Sequence, residues 1–266
     1  MNLPSHQHRV SRRFSAAAAS YDKVSVVQQE VAQQVLDLTP PAFTPGRLLD
    51  AGCGTGRLLT LARARWPQAE MVGLDVAPGM IEQAQERFAR DPACSFATGD
   101  AARYRSGAPY DLLLSSSALQ WLHPLDQGLA HLFANLRPGG LLAAGLMTRY
   151  TLHELRSARE AVAPHKRSAA HLPDLDAVQA AVHGLPNGHL LQIREQAWTN
   201  TYPDARAMLQ TLHVMGVTGG DISHGRIPLN RHELEELIAY YDAHHGAPGG
   251  GVVATFCVTF ILLEHT

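Results

Sequence analysis

Three glycines at every second position, Gly52, Gly54 and Gly56, stand between a short apolar run ending in Leu48-Leu49-Asp50 and a stretch of helical pattern from Gly56 to Arg65. Glycine is required where a backbone must turn tightly and let a ligand come within contact distance of its N–H groups. The helix start that follows adds unpaired donors and a partial positive charge. A loop of this kind commits the chain to strand–turn–helix and favours a carboxylate or phosphate as guest.

The pattern on either side extends that commitment. Val24, Val27, Val31, Val35 and Leu38 recur at helical spacing, which predicts an amphipathic helix over Lys23 to Leu38. Beyond Pro45-Gly46, strands are expected at Arg47–Asp50, Glu70–Asp75, Cys94–Thr98, Tyr110–Ser115 and Leu141–Leu146. Helices at Gly56–Arg65, Pro78–Arg90 and Asp126–Leu136 alternate with them. Short apolar strands alternating with helices of about ten residues describe an α/β fold with a doubly wound, mostly parallel sheet. After Leu146 the alternation loosens into helices at Thr151–Ala163, within Leu172–Pro186, at Pro203–Val214 and at Arg231–Tyr241, with strands at Leu190–Thr199 and Val252–Leu263. The last two strands complete a seven-stranded sheet with an antiparallel edge. The expected division is residues 1–40 as an N-terminal amphipathic helix and lid, 41–150 as the ligand-binding core, and 151–266 as a helical substrate lid with the closing antiparallel strand pair.

Charge and cysteine content remove whole classes. With 22 Lys and Arg against 24 Asp and Glu, the net charge of −2 gives no global positive field for a nucleic acid backbone. Cys53, Cys94 and Cys257 are odd in number and form no CxxC pair, so no disulfide framework or zinc site is expected, and a reducing cytoplasm is the simplest compartment. The fifteen histidines never bring three together with an acid at metal-binding spacing, so no metal is expected. The Ala16–Ala19 run is too short for a signal segment, and Val252–Leu263 falls short of the ~18 residues of a membrane helix.

Spacing then narrows the guest. A dinucleotide fingerprint G-x-G-x-x-G counted from Gly52 would need glycine where Arg57 stands, which weakens a pyrophosphate reading and an NAD-dependent oxidoreductase with it. Asp75 ends the next strand at roughly the 20-residue interval expected of an acid that binds ribose hydroxyls. Asp100, in Gly99-Asp100-Ala101, puts a second carboxylate beside the same crevice, where it can accept from an exocyclic amine. A ribose, an amino purine and a compact charged tail are implied together.

The ordered set of glycine loop, Asp75, Asp100, Tyr110-Asp111 and Leu136-Arg137-Pro138-Gly139-Gly140 resembles the class I S-adenosylmethionine-dependent methyltransferases over about Arg47 to Leu146. The resemblance implies their Rossmann-like fold and S-adenosyl-L-methionine as cofactor, leaving as S-adenosyl-L-homocysteine. It further implies that Asp50 with Gly52, Gly54 and Gly56 seats the methionine moiety, that Asp75 holds the ribose, and that Asp100 and Ala101 hold the adenine. Ser115 to Gln120 would line the face of methyl transfer.

Over nearly the whole chain the sequence also resembles the malonyl-[acyl-carrier protein] O-methyltransferase family of biotin synthesis. Arg13 to Asp22, Gln28, Ser116, Leu119-Gln120-Trp121, Thr151 to Leu155 and the lid-like Leu209–Gly220 carry this similarity; Ala143-Ala144-Gly145 departs from it. The implied reaction is methylation of the free carboxylate of a malonyl thioester on acyl carrier protein or CoA. Other acceptors remain open, among them a free carboxylic acid such as aconitate, or a quinone precursor. A carboxyl with pKa near ~4 is already ionised at neutral pH, so no general base is needed. The catalytic residues expected are Tyr21, closing over the cofactor, and Arg149, forking the acceptor carboxylate. An acidic carrier would meet a local basic patch, for which Arg12, Arg13, Arg156, Arg159, Lys166, Arg167, Arg226 and Arg231 are the candidates. No nucleic acid or membrane partner is expected, and a monomer is.

Overall fold

The computed structural model describes residues 5–166, 172–217 and 227–266. Five strands, β1 (Arg47–Ala51), β2 (Glu70–Asp75), β3 (Cys94–Thr98), β4 (Tyr110–Ser116) and β5 (Leu136–Met147), pair in parallel. Two long strands, β6 (Gly188–Tyr202) and β7 (Val252–His265), pair antiparallel, with β7 also antiparallel to β5. The strand order is β3-β2-β1-β4-β5-β7-β6. β1 and β4 lie next to each other although β2 follows β1 in sequence, so the chain reverses its winding there and opens a crevice at the strand ends.

Helices α1 (Ser5–Val24), α2 (Val26–Leu38), α3 (Arg57–Arg65), α4 (Pro78–Arg87), α5 (Leu125–Phe133), α6 (His153–Val162), α7 (Leu175–His183), α8 (Ala205–Val214) and α9 (Arg231–His244) cover the sheet among the described residues. The period-2 alternation of the strands divides the core in two. Leu48, Leu112, Ala143 and Phe260 face Val31 and Val35 of α2, Leu59 of α3 and Leu212 of α8. Leu49, Leu113, Leu142 and Ile261 face Leu129 and Leu132 of α5 and Val178 and Val182 of α7. Each of these leucines is almost fully buried and contributes about 1.5–3 kcal/mol.

The main departures from the sequence reading concern α1, the end of α5 and the start of β5. Helix α1 runs over Ser5–Val24, where only the stretch from Lys23 was expected to be helical. The helix expected over Asp126–Leu136 stops at Phe133, because Leu136 pairs with Tyr110 at the start of β5. That strand then passes through Arg137-Pro138-Gly139-Gly140, and the register shifts before Leu112 meets Leu141. A short 3-10 turn at Leu119–Trp121, directly after β4, was also not foreseen.

Asp111 fastens the opposite, amino-terminal end of these strands. Its Oδ2 accepts the Gly46 and Arg47 amides at 2.8 and 2.7 Å, and its Oδ1 accepts from the Arg137 guanidinium. Burial alone would raise this carboxyl, but the Arg137 guanidinium and the two amides outweigh it and hold it below the usual range. A depressed carboxyl stabilises the fold above its unfolded pKa, and that contribution disappears as pH falls through the folded value. Asp111→Ala is therefore expected to lower stability by about 1–3 kcal/mol at neutral pH and to flatten the acid limb of a stability-against-pH curve; an unchanged limb would contradict this.

Candidate functional site

At the end of β1 the chain turns back on β2: Gly52 N and Cys53 N both donate to Leu74 O, at 2.7 and 3.0 Å. Gly52, Gly54 and Gly56 all have positive φ, at 79°, 53° and 82°. The three are used differently. A Cβ on Gly52 would lie 2.1 Å from the Ala118 Cβ, whereas one on Gly54 would meet nothing within 4 Å and would point into open space. Gly56 starts α3 and packs beneath Phe88, whose ring a Cβ would approach to 3.1 Å.

This loop borders a cleft with about 1140 Å³ of empty space, including its open mouth. Asp50, Gly52, Gly54, Asp75, Asp100, Ala101 and Tyr21 all line it. Asp75 is tied to the loop, since its Oδ2 accepts Gly54 N at 2.9 Å and its Oδ1 accepts Ala77 N at 2.8 Å. The Val76 amide adds a further bond, and a carboxylate's four acceptor positions still leave room for a hydroxyl. Burial raises the Asp75 carboxyl against these amide bonds. Gly99 N donates to Asp75 O at 2.8 Å, which sets Asp100 beside it; the Asp100 Oδ1 accepts Ala102 N at 2.9 Å.

Asp50 is the anomaly. It is 1% exposed, and neither carboxylate oxygen has a hydrogen-bond partner. Burial pushes its carboxyl well above the usual range, and the Asp75 carboxylate pushes it further. A buried carboxylate without partners is rare because desolvation is so unfavourable, and a cationic donor from a ligand relieves it. The same cleft is also lined by the apolar side chains of Met80, Leu119 and Leu122. An ammonium at Asp50, a ribose at Asp75 and an amino-bearing base between Asp100 and these side chains fit the donors and acceptors present. The residues thus suit the sulfonium nucleoside expected from the sequence.

Helix α1 closes one side of the cleft. Ser11 Oγ donates to Val76 O at 2.8 Å, and Gly79 N donates to Ser15 Oγ at 3.2 Å. Asp22 accepts from Thr55 Oγ1 at 2.7 Å and also from the Arg87 guanidinium, bridging the glycine loop to α4. Burial opposes its charge, but Arg87 and Thr55 prevail and the carboxyl sits below its ordinary value. Asp22→Ala is expected to speed hydrogen exchange across α1 and to raise the dissociation rate of bound S-adenosylhomocysteine about 10-fold; unchanged exchange would show that the other contacts of α1 hold it without the Asp22 bridge. Tyr21 lies in this wall with its hydroxyl pushed upward by burial and by Asp75 and Asp22, so it stays protonated.

Four expected residues lie elsewhere. Gly56 is beneath the loop, as described. Ser115 is buried and donates to Ala51 O at 2.7 Å, locking β4 to β1. Gln120 lines a smaller adjoining cavity, not the main cleft. Arg149 lines neither cavity: its backbone N donates to Pro173 O, and the half-exposed side chain pairs with Asp174 at 3.4 Å. Of the expected basic patch, Arg159 is buried against Ile227 O and Lys166 is engaged by Glu233, while Arg167, Arg226 and the last three residues of the lid-like Leu209–Gly220 segment lie outside the described residues. Ser117 falls within the Ser115–Gln120 stretch expected to line the site, and Asp22 within the Arg13–Asp22 stretch that carries the resemblance, but neither was given a role of its own from sequence. The Ala16–Ala19 run, rich in the best helix former, was the available signal for α1 and hence for Asp22. Among the described residues no cluster of His, Cys, Asp or Glu could hold a metal, and no helix is long and apolar enough to cross a membrane.

Residues 48–140 match a family model described as a methyltransferase domain. The sequence is 34% identical to a malonyl-[acyl-carrier protein] O-methyltransferase of Laribacter hongkongensis, over 88% of this chain and 82% of that relative. A protein of the same name from Methylococcus capsulatus is 33% identical over 94% of this chain and 91% of its own length. Among solved structures, Bradyrhizobium japonicum NodS, an N-methyltransferase in complex with S-adenosyl-L-homocysteine, superposes with a TM-score of 0.52 at 14% identity, over 89% of this chain and 86% of that one. Haemonchus contortus phosphoethanolamine N-methyltransferase 2, with S-adenosylhomocysteine, gives 0.55 at 17% identity, over 88% and 52%. At such identities the structural likeness establishes the fold.

Proposed function

The chain belongs to the malonyl-[acyl-carrier protein] O-methyltransferase family, and from that membership we infer that it uses S-adenosylmethionine to methylate the free carboxylate of a malonyl group carried as a thioester on acyl carrier protein. The observation that carries the reading is the buried, unpartnered Asp50 in a crevice shared with Asp75 and Asp100. When bound, S-adenosylmethionine supplies a sulfonium-borne methyl: an O–C bond forms to the malonyl carboxylate, the C–S bond breaks, its electron pair stays on sulfur, and no proton moves.

Asp50 would hold the ammonium of the cofactor, and the Gly52 and Gly54 backbone would leave room for its tail. Asp75 would accept from the ribose hydroxyls, and Asp100 with Ala101 would hold the adenine edge. Tyr21 and Phe14, on α1, would cover the reacting centre and exclude water. Because the acceptor is ionised before it binds, desolvation and in-line placement at about 3–3.5 Å are what the protein has to contribute, and no catalytic base is required. The protonated Tyr21 hydroxyl can donate a hydrogen bond to the acceptor, and burial keeps it from taking a proton away.

The test is incubation with methyl-labelled S-adenosylmethionine and, in parallel, malonyl-acyl carrier protein, malonyl-CoA, acetyl-acyl carrier protein and aconitate. Base-labile label is expected on the malonyl thioesters and none on the acetyl carrier. Label on aconitate alone, or no ester on either malonyl thioester, would contradict the assignment.

A further inference from the structure

Beside the main cleft lies a smaller cavity of about 330 Å³ of empty space, and Phe14, Tyr21, Gln28 and Ser117 line both. These four residues mark where the two spaces meet. The far wall is apolar, formed by Met147, Met215 and Phe256 among others. No Lys, Arg, His, Asp or Glu is among the described residues that line it.

The polar side chains of this cavity fall into two kinds. Gln120 is used at both ends, its Nε2 donating to Ser117 O at 2.6 Å and its Oε1 accepting Met147 N at 3.3 Å. Thr151 Oγ1 donates to Cys257 O at 2.9 Å and accepts Cys257 N at 3.0 Å. These two belong to the wall. Ser117 Oγ and Gln28 Oε1, in contrast, are shielded from solvent and have no partner. Buried polar atoms are nearly always satisfied, so two orphans facing one junction point to a ligand that supplies the missing bonds.

Ser117 is also held in an uncommon backbone conformation, with φ of 56°. Its N donates to Gly145 O at 2.7 Å, and the Gln120 amide grips its carbonyl. Strained residues that their surroundings over-determine cluster at ligand sites. The consequence is a hydroxyl fixed at the mouth of an apolar pocket directly after β4.

We propose that the small cavity seats the malonyl carboxylate, which the Ser117 hydroxyl and the Gln28 side-chain amide hold by hydrogen bonds, with no cationic side chain among the described residues in contact. This rests on the malonyl thioester reading above. The Gln28 amide presents a donor here after a half-turn about its last side-chain bond, which exchanges its O and N without changing its shape. Neutral donors suit the chemistry. The carboxylate loses its charge as the methyl arrives, so a fixed guanidinium would stabilise the reactant more than the transition state, while neutral donors orient it and leave it reactive.

The test uses the full chain loaded with S-adenosylhomocysteine, titrated calorimetrically with malonyl-acyl carrier protein and with acetyl-acyl carrier protein, which lacks the carboxylate. Ser117→Ala, Ser117→Gly and Gln28→Leu are each expected to weaken the malonyl carrier about 5–20-fold, the effect of one lost hydrogen bond. Binding of the acetyl carrier and of S-adenosylhomocysteine should not change. Ser117→Gly removes the hydroxyl while favouring the positive φ, so it reports even where the Ala variant folds poorly. Unchanged malonyl-carrier affinity in all three variants, or a parallel loss for the acetyl carrier, would overturn the proposed seat. A wild-type enzyme that forms no ester on any malonyl thioester would overturn the function and the seat together; turnover by the wild type with unaffected variants overturns the seat alone.

Discussion

Replacing Asp50 by Asn is expected to raise the melting temperature of the ligand-free protein and, in the same variant, to weaken S-adenosylhomocysteine binding about 100-fold. Both effects come from one feature, a carboxylate that is 1% exposed and lacks a partner on either oxygen. In the empty site that charge is buried without compensation, which destabilises the fold by several kcal/mol. In the proposed complex it would meet the ammonium, and truncating one member of such a pair typically costs about 2–5 kcal/mol, at 1.4 kcal/mol per factor of ten.

The pH dependence of the two properties should run in opposite directions. Burial, reinforced by Asp75, raises the folded-state pKa of Asp50 above its unfolded value. Its contribution to stability is therefore fully present below the unfolded pKa and is lost as pH rises through the folded one. Ligand affinity climbs over that same interval, because the ionised form pairs with the ammonium. Asp50→Asn should flatten both curves; calorimetric unfolding and ligand titration over a pH series would show it. A variant that loses stability along with affinity would mean that Asp50 has a structural partner, contrary to the geometry.

The second large effect separates two glycines of one loop. Gly52→Ala would drive a Cβ to within 2.1 Å of the Ala118 Cβ at a φ of 79°, and Ala118 has no flexible end that could move away. Left-handed backbone costs about 1–2 kcal/mol and overpacking about 1–3 kcal/mol more, so a loss of about 2–5 kcal/mol is expected together with loss of ligand binding. Gly54→Ala meets nothing within 4 Å. It should cost only the backbone penalty of about 1–2 kcal/mol in the ligand-free protein, yet still impair binding, since its methyl group would occupy ligand space. Thermal unfolding alongside S-adenosylhomocysteine titration distinguishes the two, and equal destabilisation by both substitutions would contradict the assignment of distinct roles.

The sheet was legible in the sequence because its strands are short, apolar and punctuated by glycine and proline; β2 and β3 were read to the residue. The loop was legible because three glycines at that spacing have few other uses. What escaped was set by tertiary contact. The onset of β5 at Leu136 depends on pairing with Tyr110, which no local pattern reveals. Arg149 was placed at the site because it follows a strand on the ligand side, but the backbone bond from its N to Pro173 O directs that segment toward Asp174. Ser117 was legible only as a member of the Ser115–Gln120 stretch; its positive φ and orphaned hydroxyl both require coordinates.

The central claim is that the crevice holds its nucleoside at two separate points, Asp50 at the charged tail and Asp75 at the ribose. Calorimetric titration of the wild type, Asp50→Asn and Asp75→Asn with S-adenosylhomocysteine and with methylthioadenosine, which keeps the ribose and base but lacks the ammonium-bearing tail, tests it most directly. The account predicts that Asp50→Asn weakens only S-adenosylhomocysteine, while Asp75→Asn weakens both ligands by about 10-fold or more. Equal losses for both ligands in Asp50→Asn, or no loss for either in Asp75→Asn, would contradict it.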